Sequence, residues 1–305
     1  MHDPKTARSF MKHATILALA LAALALGACR APMSDKLVSD FGKSGDDHRT
    51  LGYRVYLPPD YSKDTTCTYP LLVWFHGGGE DEDGWGRVGK IGEIVQDREL
   101  KGELSKFIVL SPSAGKFTPI WFGYEKRLIE ETLPAVQKRY RTNGHVLAFG
   151  HSMGGLSLLM VLLRNPGLFE AACVASPFVY DTSPWESKER RAWFQSTFPG
   201  TRFESEYRNN QRKYFDSAQD LALWDPYTLI REKGQASKWP PVLLTCGDRD
   251  SLGLWPHTLH LHEVLQQAGI AHDWLPQLGV GHGTVEDPRL MDWLSEKAGQ
   301  EGSGH

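Results

Sequence analysis

The feature that most constrains this chain is a Gly-x-Ser-x-Gly pentapeptide at residues 150–154, which lies between two apolar runs. Residues 145–149 are short, apolar and partly β-branched, as expected of a strand. Residues 155–163 are apolar on nearly every face, as expected of a buried helix. The pattern predicts a strand, a sharp turn that exposes Ser152, and a helix. It therefore indicates both an α/β fold and a candidate nucleophile.

Other apolar runs extend this pattern along the chain. They lie at residues 71–75, 107–110, 171–176 and 241–246, and helix-like segments separate them. Strands that are covered on both faces are apolar throughout, as these runs are. The alternation predicts an α/β fold with a mostly parallel central sheet and helices on both faces.

Residues 178–238 depart from the alternation, because they are polar, aromatic and charged and contain no evident buried strand. The segment is too long for a simple loop in a compact domain. We predict a helical, cap-like insertion over the carboxyl edge of the sheet, where α/β proteins bind their ligands. The whole domain is predicted to span residues 48–299, followed by a tail at 300–305.

The N-terminus has the pattern of a signal peptide over residues 1–28. Basic residues precede an apolar run at 14–26 that is short for a membrane span. The run ends in Leu-Gly-Ala-Cys, which resembles the bacterial lipobox and implies a lipid anchor on Cys29. Ordinary cleavage is the alternative, and Met11 is an alternative start. Because Arg30 follows Cys29, we favour an outer-membrane location over the inner membrane, with residues 29–47 as a flexible tether.

Charge and cysteine content exclude several classes of protein. The net charge is −3 and no Lys/Arg-rich run occurs, which argues against binding to nucleic acid. Beyond Cys29 only three cysteines remain, and their spacing indicates no disulfide scaffold, with a disulfide involving Cys67 as the alternative. His257 and His260 could in principle chelate a metal, but no Cys or carboxylate stands at ligand spacing. We expect neither a metal nor a cofactor, and the sequence does not indicate an oligomeric state.

A serine nucleophile needs a base, an acid that orients the base, and donors for the oxyanion. His282 lies in a glycine-rich loop after the last predicted strand and is the candidate base. Asp250 follows the strand at 241–246 and is the preferred acid, with Asp248 as the alternative. The order Ser, acid, His is that of α/β-hydrolases.

The backbone N–H groups of Met153 and Gly78 are the predicted oxyanion donors, because the strand at 71–75 runs into a His-Gly-Gly-Gly turn. His151 lies within the pentapeptide and is interpreted as structural. Trp85 and Trp121 are candidates for lining a substrate cleft.

Three segments together resemble the esterase D-type serine esterase family of the α/β-hydrolase superfamily. They are YRVYLPP at 53–59, YPLLVWFHGGG at 69–79, and GHSMGG at 150–155 with NPGLF at 165–169. The resemblance covers most of residues 50–297 and implies acyl-ester chemistry. The family includes feruloyl and acetylxylan esterases, siderophore esterases, S-formylglutathione hydrolase and mycolyltransferases.

Three functions remain open at this point. The first is a serine carboxylic-ester hydrolase of the cell envelope, acting on a small-molecule or polysaccharide-linked ester of acetyl or feruloyl type. The second is an acyltransferase that passes the same acyl group to a sugar or lipid. The third is a catalytically idle lipoprotein that binds an envelope partner.

Overall fold

The computed structural model describes residues 37–40, 50–63, 65–86, 91–234 and 238–299, and only the backbone of residues 37–40 and 233. The predicted signal peptide, Cys29 and the tail at 300–305 lie outside the described residues. Among the described residues, none of the helices is long and apolar enough to cross a bilayer.

The described strands form one sheet with the order β1-β2-β4-β3-β5-β6-β7-β8. Pairing is parallel from β4 through β3 to β8, and it is antiparallel where β1 joins β2 and where β2 joins β4. This confirms the predicted mostly parallel sheet. The strands are β1 (Leu37–Asp40), β2 (Thr50–Tyr56), β3 (Tyr69–Phe75), β4 (Ile108–Ser113), β5 (Thr142–His151), β6 (Ala171–Ala175), β7 (Val242–Gly247) and β8 (Asp273–Gln277).

β1 lies within residues 29–47, the range predicted to be a tether. It pairs with β2 through Leu37 opposite Tyr53 and Asp40 opposite Thr50. A strand at the edge of a sheet presents backbone groups for pairing, and β1 pairs with β2 on the side away from β4. Residues 37–40 are therefore part of the sheet, and the rest of the range lies outside the described residues.

Helices cover both faces of the sheet. They are α1 (Ile91–Leu100), α2 (Phe122–Arg127), α3 (Leu133–Arg139), α4 (Met153–Arg164), α5 (Lys188–Thr197), α6 (Glu204–Tyr214), α7 (Ala218–Ala222), α8 (Pro226–Lys233), α9 (Trp255–Gln267) and α10 (Pro288–Gly299).

A π-helical turn at Leu128–Thr132 joins α2 to α3. Pro134 follows in the first turn of α3, where its missing N–H cannot donate to a carbonyl of the preceding turn. The helix therefore continues through a wider turn instead of ending.

The sheet separates two hydrophobic clusters, and β3 shows why. Leu71, Val73 and Phe75 face one cluster, whereas Leu72 and Trp74 face the other. Side chains alternate between faces along a strand, so a continuous apolar run fills both cores at once. All residues of β3 are buried.

The insertion predicted at 178–238 contains the four helices α5 to α8, between β6 and β7. Its aromatic side chains join the hydrophobic cluster that also holds α4. The insertion thus packs by apolar contact on the face of the sheet that carries the residues following the pentapeptide.

Candidate active site

Ser152 lies at the sharp turn between β5 and α4. Its backbone has φ 56° and ψ −119°, a strained conformation for a residue with a Cβ. Its N–H donates to the Ala175 carbonyl at 3.0 Å, and its own carbonyl accepts from the Phe178 N–H at 2.9 Å. The predicted strand, turn and helix are confirmed, and neighbouring strand ends hold the turn in place.

The glycines of the pentapeptide are required by close backbone approach. A Cβ on Gly154 would lie 1.9 Å from the Phe75 carbonyl oxygen. A Cβ on Gly150 would lie 2.4 Å from the Gly154 oxygen. Only glycine fits these positions, so the start of α4 is pressed against the end of β3.

The loops after β7 and β8 bring Asp250 against His282. His282 Nδ1 donates to Asp250 Oδ2 at 2.7 Å, and Asp250 Oδ1 accepts from the Leu252 N–H at 2.8 Å. A Cβ on Gly247 would lie 2.2 Å from the Val280 oxygen, so glycine lets the two loops meet.

Asp248 occupies a different position. It is exposed, and its Oδ1 accepts from the Gly279 N–H at 2.6 Å, so it holds the turn after β8. Of the two predicted acids, only Asp250 makes a hydrogen bond to the His282 ring.

The Asp250 carboxyl is kept ionised. Burial by itself raises the pKa of Asp250, but hydrogen bonds from His282 and from the N–H groups of Leu252 and Leu254 hold that pKa below its ordinary value. An ionised acceptor fixes the proton of His282 on Nδ1. His282 Nε2 is thereby left as the ring atom that can accept a proton from a nucleophile.

His151 makes a contact that sequence analysis did not predict. Its Nε2 donates to the His282 carbonyl oxygen at 2.8 Å, and the two ring centroids are 4.6 Å apart. Burial lowers the pKa of His151 to about 4, so the ring is neutral near pH 7. The two residues are separated by 131 positions in the chain, and no local pattern indicates the contact.

The turn after β3 lies opposite the start of α4. Gly78, Ser152 and Met153 line one cleft, and a Cβ on Gly78 would lie 3.9 Å from Met153 Cβ. Met153 begins α4, and the first N–H groups of a helix have no partner within it. The two predicted oxyanion donors are therefore brought together beside Ser152.

His76 shapes this turn from behind. Its Nδ1 donates to the Gly77 carbonyl at 2.9 Å, and its Nε2 accepts from the Ser113 hydroxyl at 3.0 Å. Burial lowers the pKa of His76, which favours the neutral ring that this pair of bonds needs. Gly79 then turns with φ 90°, and its N–H donates to the Lys116 carbonyl at 2.7 Å.

The cleft has a volume of about 410 Å³ and extends from Ser152 and His282 into the insertion. Trp121 lines it, as predicted, and its ring centroid lies 4.4 Å from that of Tyr214. The rest of the wall combines aromatic rings with Leu156 and Met160 of α4 and with polar side chains of α6, and more than half of it comes from α6 to α8 and the adjoining loops.

The prediction that Trp85 lines this cleft is wrong. Trp85 is 3% exposed and packs edge-on against Trp74, with ring centroids 5.4 Å apart. Both rings belong to the hydrophobic cluster that does not contain α4. A large apolar area favours such burial, and the sequence offers no period that would separate core tryptophans from cleft tryptophans.

The two histidines considered as a chelating pair have different partners. His257 Nε2 contacts the Thr201 hydroxyl at 3.1 Å, whereas His260 Nε2 contacts Asp181 Oδ2 at 2.9 Å. Within the part of the chain that the structure describes, no group of three or more His, Cys, Asp or Glu residues could hold a metal.

Comparison with known proteins identifies the family. The sequence profile of a family described as putative esterase matches residues 46–273, about three quarters of the chain. The chain belongs to the putative esterase family. This confirms the resemblance to esterase D-type enzymes that the pentapeptide and its neighbouring segments indicated.

Among relatives, an endo-1,4-β-xylanase/feruloyl esterase from Xylanibacter ruminicola is 35% identical over 131 residues. The match covers 38% of this chain and 18% of that protein, so the chain spans less than a fifth of that relative's length.

Solved structures show the same fold as this member of the putative esterase family. A ferulic acid esterase is 20% identical with a TM-score of 0.57, covering 87% of this chain and 97% of that one. An S-formylglutathione hydrolase from Agrobacterium tumefaciens is 15% identical with a TM-score of 0.60, covering 87% and 98%. A feruloyl esterase module from Clostridium thermocellum, complexed with sinapinate, is 18% identical with a TM-score of 0.56, covering 92% and 93%. The predicted α/β-hydrolase fold is confirmed.

Proposed function

We propose that this protein is a serine carboxylic-ester hydrolase. The observation that supports it most directly is that His282, which donates to Asp250 at 2.7 Å, lines the same cleft as Ser152. Membership of the putative esterase family supports the same chemistry.

In the proposed mechanism, Ser152 Oγ attacks the ester carbonyl while His282 Nε2 accepts its proton. Asp250 keeps the imidazole in the required tautomer and stabilises its protonated form. The N–H groups of Met153 and Gly78 donate to the oxyanion, and each such donor contributes about 3–4 kcal/mol in a studied protease. His282 then protonates the departing alcohol, and water attacks the acyl-enzyme.

The substrate class follows from the cleft and the relatives. An aromatic cleft of about 410 Å³ beside Ser152 accommodates an acyl or alcohol group larger than acetyl. Feruloyl esterases occur among the similar proteins. We therefore infer a carbohydrate-linked ester of feruloyl type as the first candidate and an acetyl ester as the second.

The proposed nucleophile is tested with Ser152→Ala. Hydrolysis of p-nitrophenyl esters should fall by about 10⁴-fold or more, as expected when the nucleophile of a triad is removed. A fluorophosphonate probe should label the wild type and not this variant.

Ser176→Ala is the matched control, because Ser176 also follows a strand end but its hydroxyl contacts Cys246 and Thr284 in the buried interior. It should retain labelling. Undiminished hydrolysis by Ser152→Ala would contradict the proposal, and absence of labelling in the wild type would favour an idle binding protein. Acyl transfer to added sugar or lipid alcohols, measured by product analysis, would favour the acyltransferase.

We also propose that the chain is exported and lipid-anchored through Cys29 at the cell envelope. The proposal comes from the sequence pattern at residues 1–29. A Cys29→Ser variant should lose incorporation of an alkyne-labelled fatty acid, while the wild type incorporates it. Equal incorporation in both proteins would exclude Cys29 as the lipidated residue.

A further inference from the structure

The cleft beside Ser152 has an unusual balance of charge. Among its described lining residues, the ionisable acidic or basic side chains are Glu206, Asp225 and His282, apart from tyrosine hydroxyls. No lysine or arginine lines it within this described set. Once His282 has its role as base, two carboxylates remain in the lining. The Arg231 guanidinium interacts electrostatically with Asp225 and favours its ionised form, but Arg231 does not line the cleft.

Cationic side chains lie against three rings of the wall without lining the cleft themselves: Arg164 at Trp224, Arg202 at Phe203 and Lys213 at Tyr214. Arg164 stacks 3.8 Å from the Trp224 ring centroid, and its Nε pairs with Glu125 at 3.0 Å. Arg208 forms a buried ion pair with Glu186. Neither guanidinium lines the cleft, and each already has a carboxylate partner, so neither is available to an anionic ligand.

Asp225 caps the N-terminus of α8, and this contact fixes its position in the cleft wall. Its Oδ2 accepts from the N–H and the hydroxyl of Thr228, each at 2.8 Å. Trp224 and Pro226 on either side are buried and also line the cleft. Burial raises the pKa of Asp225 to about 6, so the carboxyl is mainly ionised at pH 7.

The aromatic wall also favours cations over anions. Ring faces carry negative electrostatic potential and attract cations, most strongly when water is excluded. Eight aromatic residues line the cleft, among them Trp121, Phe178 and Tyr207. A carboxylate on a ligand would leave water for an apolar wall without a cation to receive it, which is unfavourable.

We propose that this cleft selects esters by charge, admitting uncharged and cationic substrate groups and rejecting anionic ones, with Asp225 and Glu206 imposing the selection. This inference rests on the proposed ester hydrolysis and adds a substrate class to it. An ester that carries a quaternary ammonium group suits this wall best, because both the aromatic rings and the carboxylates attract its positive charge.

The test uses three p-nitrophenyl esters of equal chain length whose acyl groups end in tert-butyl, trimethylammonium or carboxylate. Esters with the same three end groups on the alcohol arm form a second series. We expect kcat/KM to follow the order cationic, neutral, anionic in at least one series. The anionic ester should be at least about tenfold slower than the neutral one, from like-charge repulsion across several ångströms of partly excluded solvent.

Asp225→Asn is the informative variant, because asparagine caps a helix about as well as aspartate. Its neutral-to-anionic ratio of kcat/KM should fall by about fivefold, and its preference for the cationic ester should weaken. Asp220→Asn is the matched control, since Asp220 is exposed on α7 and does not line the cleft. The ratio should be unchanged in that control.

Equal rates for the neutral and anionic esters in both series would overturn the inference, as would an unchanged ratio in Asp225→Asn. Failure of every ester would instead contradict the proposed hydrolysis. In that case amide analogues with the same three end groups test the cleft separately through ligand-induced shifts in Tm. An anionic analogue that stabilises the protein as much as the cationic one would overturn the charge selection.

Discussion

The sheet edge and the insertion contribute to the cleft in different ways. The sheet edge positions Ser152, Asp250 and His282 through backbone contacts, such as the approach of Gly247 to Val280. The insertion contributes side chains, half of them aromatic, that line the wall. The reactive groups therefore depend on fixed backbone geometry, whereas the shape and charge of the cleft depend on helices that pack by side-chain contact.

The insertion also has a polar attachment to the core. Asp181 pairs with Arg190 at 2.6 Å and with His260 of α9 at 2.9 Å, and it contacts Arg231 of α8. Burial by itself raises the pKa of Asp181, but these three hydrogen-bonding partners hold it well below the ordinary value. The carboxylate therefore stays ionised and ties the insertion to α9.

The largest effect expected at the sheet edge is that of Asp250→Asn. Asparagine keeps the size but favours the wrong tautomer of His282, which costs about 10⁴-fold in kcat in a studied protease. We expect a loss of that order in kcat for ester hydrolysis. Asp248→Asn is the matched variant and should change kcat by less than about threefold, since Asp248 contacts only a turn N–H at the surface. Equal losses in the two variants would contradict the assignment of Asp250.

The protein should lose stability in acid because of His257, which lies where the insertion packs against α9. This α9 residue is 1% exposed and packs against Phe198 of the insertion, with ring centroids 4.5 Å apart. Burial lowers the pKa of His257 to about 4, against an ordinary value of 6.5. Between these values the unfolded chain binds a proton that the folded chain does not, so stability falls as pH decreases from about 6.5 to 4.

The size of that effect is set by the pKa difference, which corresponds to about 3 kcal/mol at its full extent. His257→Leu should remove this part of the pH dependence, measured by urea unfolding at pH 7 and pH 4.5. His151 contributes in the same direction in both proteins, so some slope should remain. An identical slope in wild type and variant would show that His257 does not titrate as its burial requires.

A smaller effect is expected for His151, which connects the pentapeptide to the His282 loop. His151→Leu removes the donor to the His282 carbonyl, and a lost hydrogen bond of this kind costs about 1–2 kcal/mol. We expect kcat to fall by roughly tenfold with little change in KM. The pH–rate profile should also move, because the environment of His282 changes.

His151→Gln is the matched variant, since a glutamine amide can donate from nearly the same place as imidazole Nε2. It should restore kcat to within about threefold of wild type. If both variants behave alike, or if the pH–rate profile does not move, His151 has only a packing role.

The contrast between the two regions also explains what could be predicted from sequence. Ser152 and Asp250 follow buried apolar strands and His282 follows the last predicted strand, so their positions at the sheet edge were predictable from the alternation and from the order in the chain. The contact between His151 and His282 was not predictable, because it joins two loops that are distant in the sequence. The buried position of Trp85 was not predictable either, since core and cleft tryptophans have the same local sequence pattern.

The sequence of the insertion contains fewer patterns that predict structure. Asp225 followed by Pro226 is a helix-start pattern, and it could have located α8. Nothing in the sequence indicated that the same carboxylate would line a cleft, because that depends on how α8 packs against the core. Predictability therefore ended where side-chain packing, rather than strand order, determines position.

The smallest effect is expected at the mouth of the cleft, where Phe117 lies between the two regions. Its side chain is 76% exposed, and a Cβ on Gly78 would lie 3.8 Å from Phe117 Cδ1. An exposed ring beside the oxyanion turn contributes area to a bound ester but little to folding. Phe117→Ala should raise KM by about threefold for a bulky aromatic ester while kcat stays near wild type. Leu100→Ala is the control, because Leu100 is 52% exposed at the end of α1 and does not line the cleft. A fall in kcat without a change in KM would contradict this role. It would show that Phe117 supports the oxyanion turn, like the groups at the sheet edge, and does not bind the substrate as the insertion does.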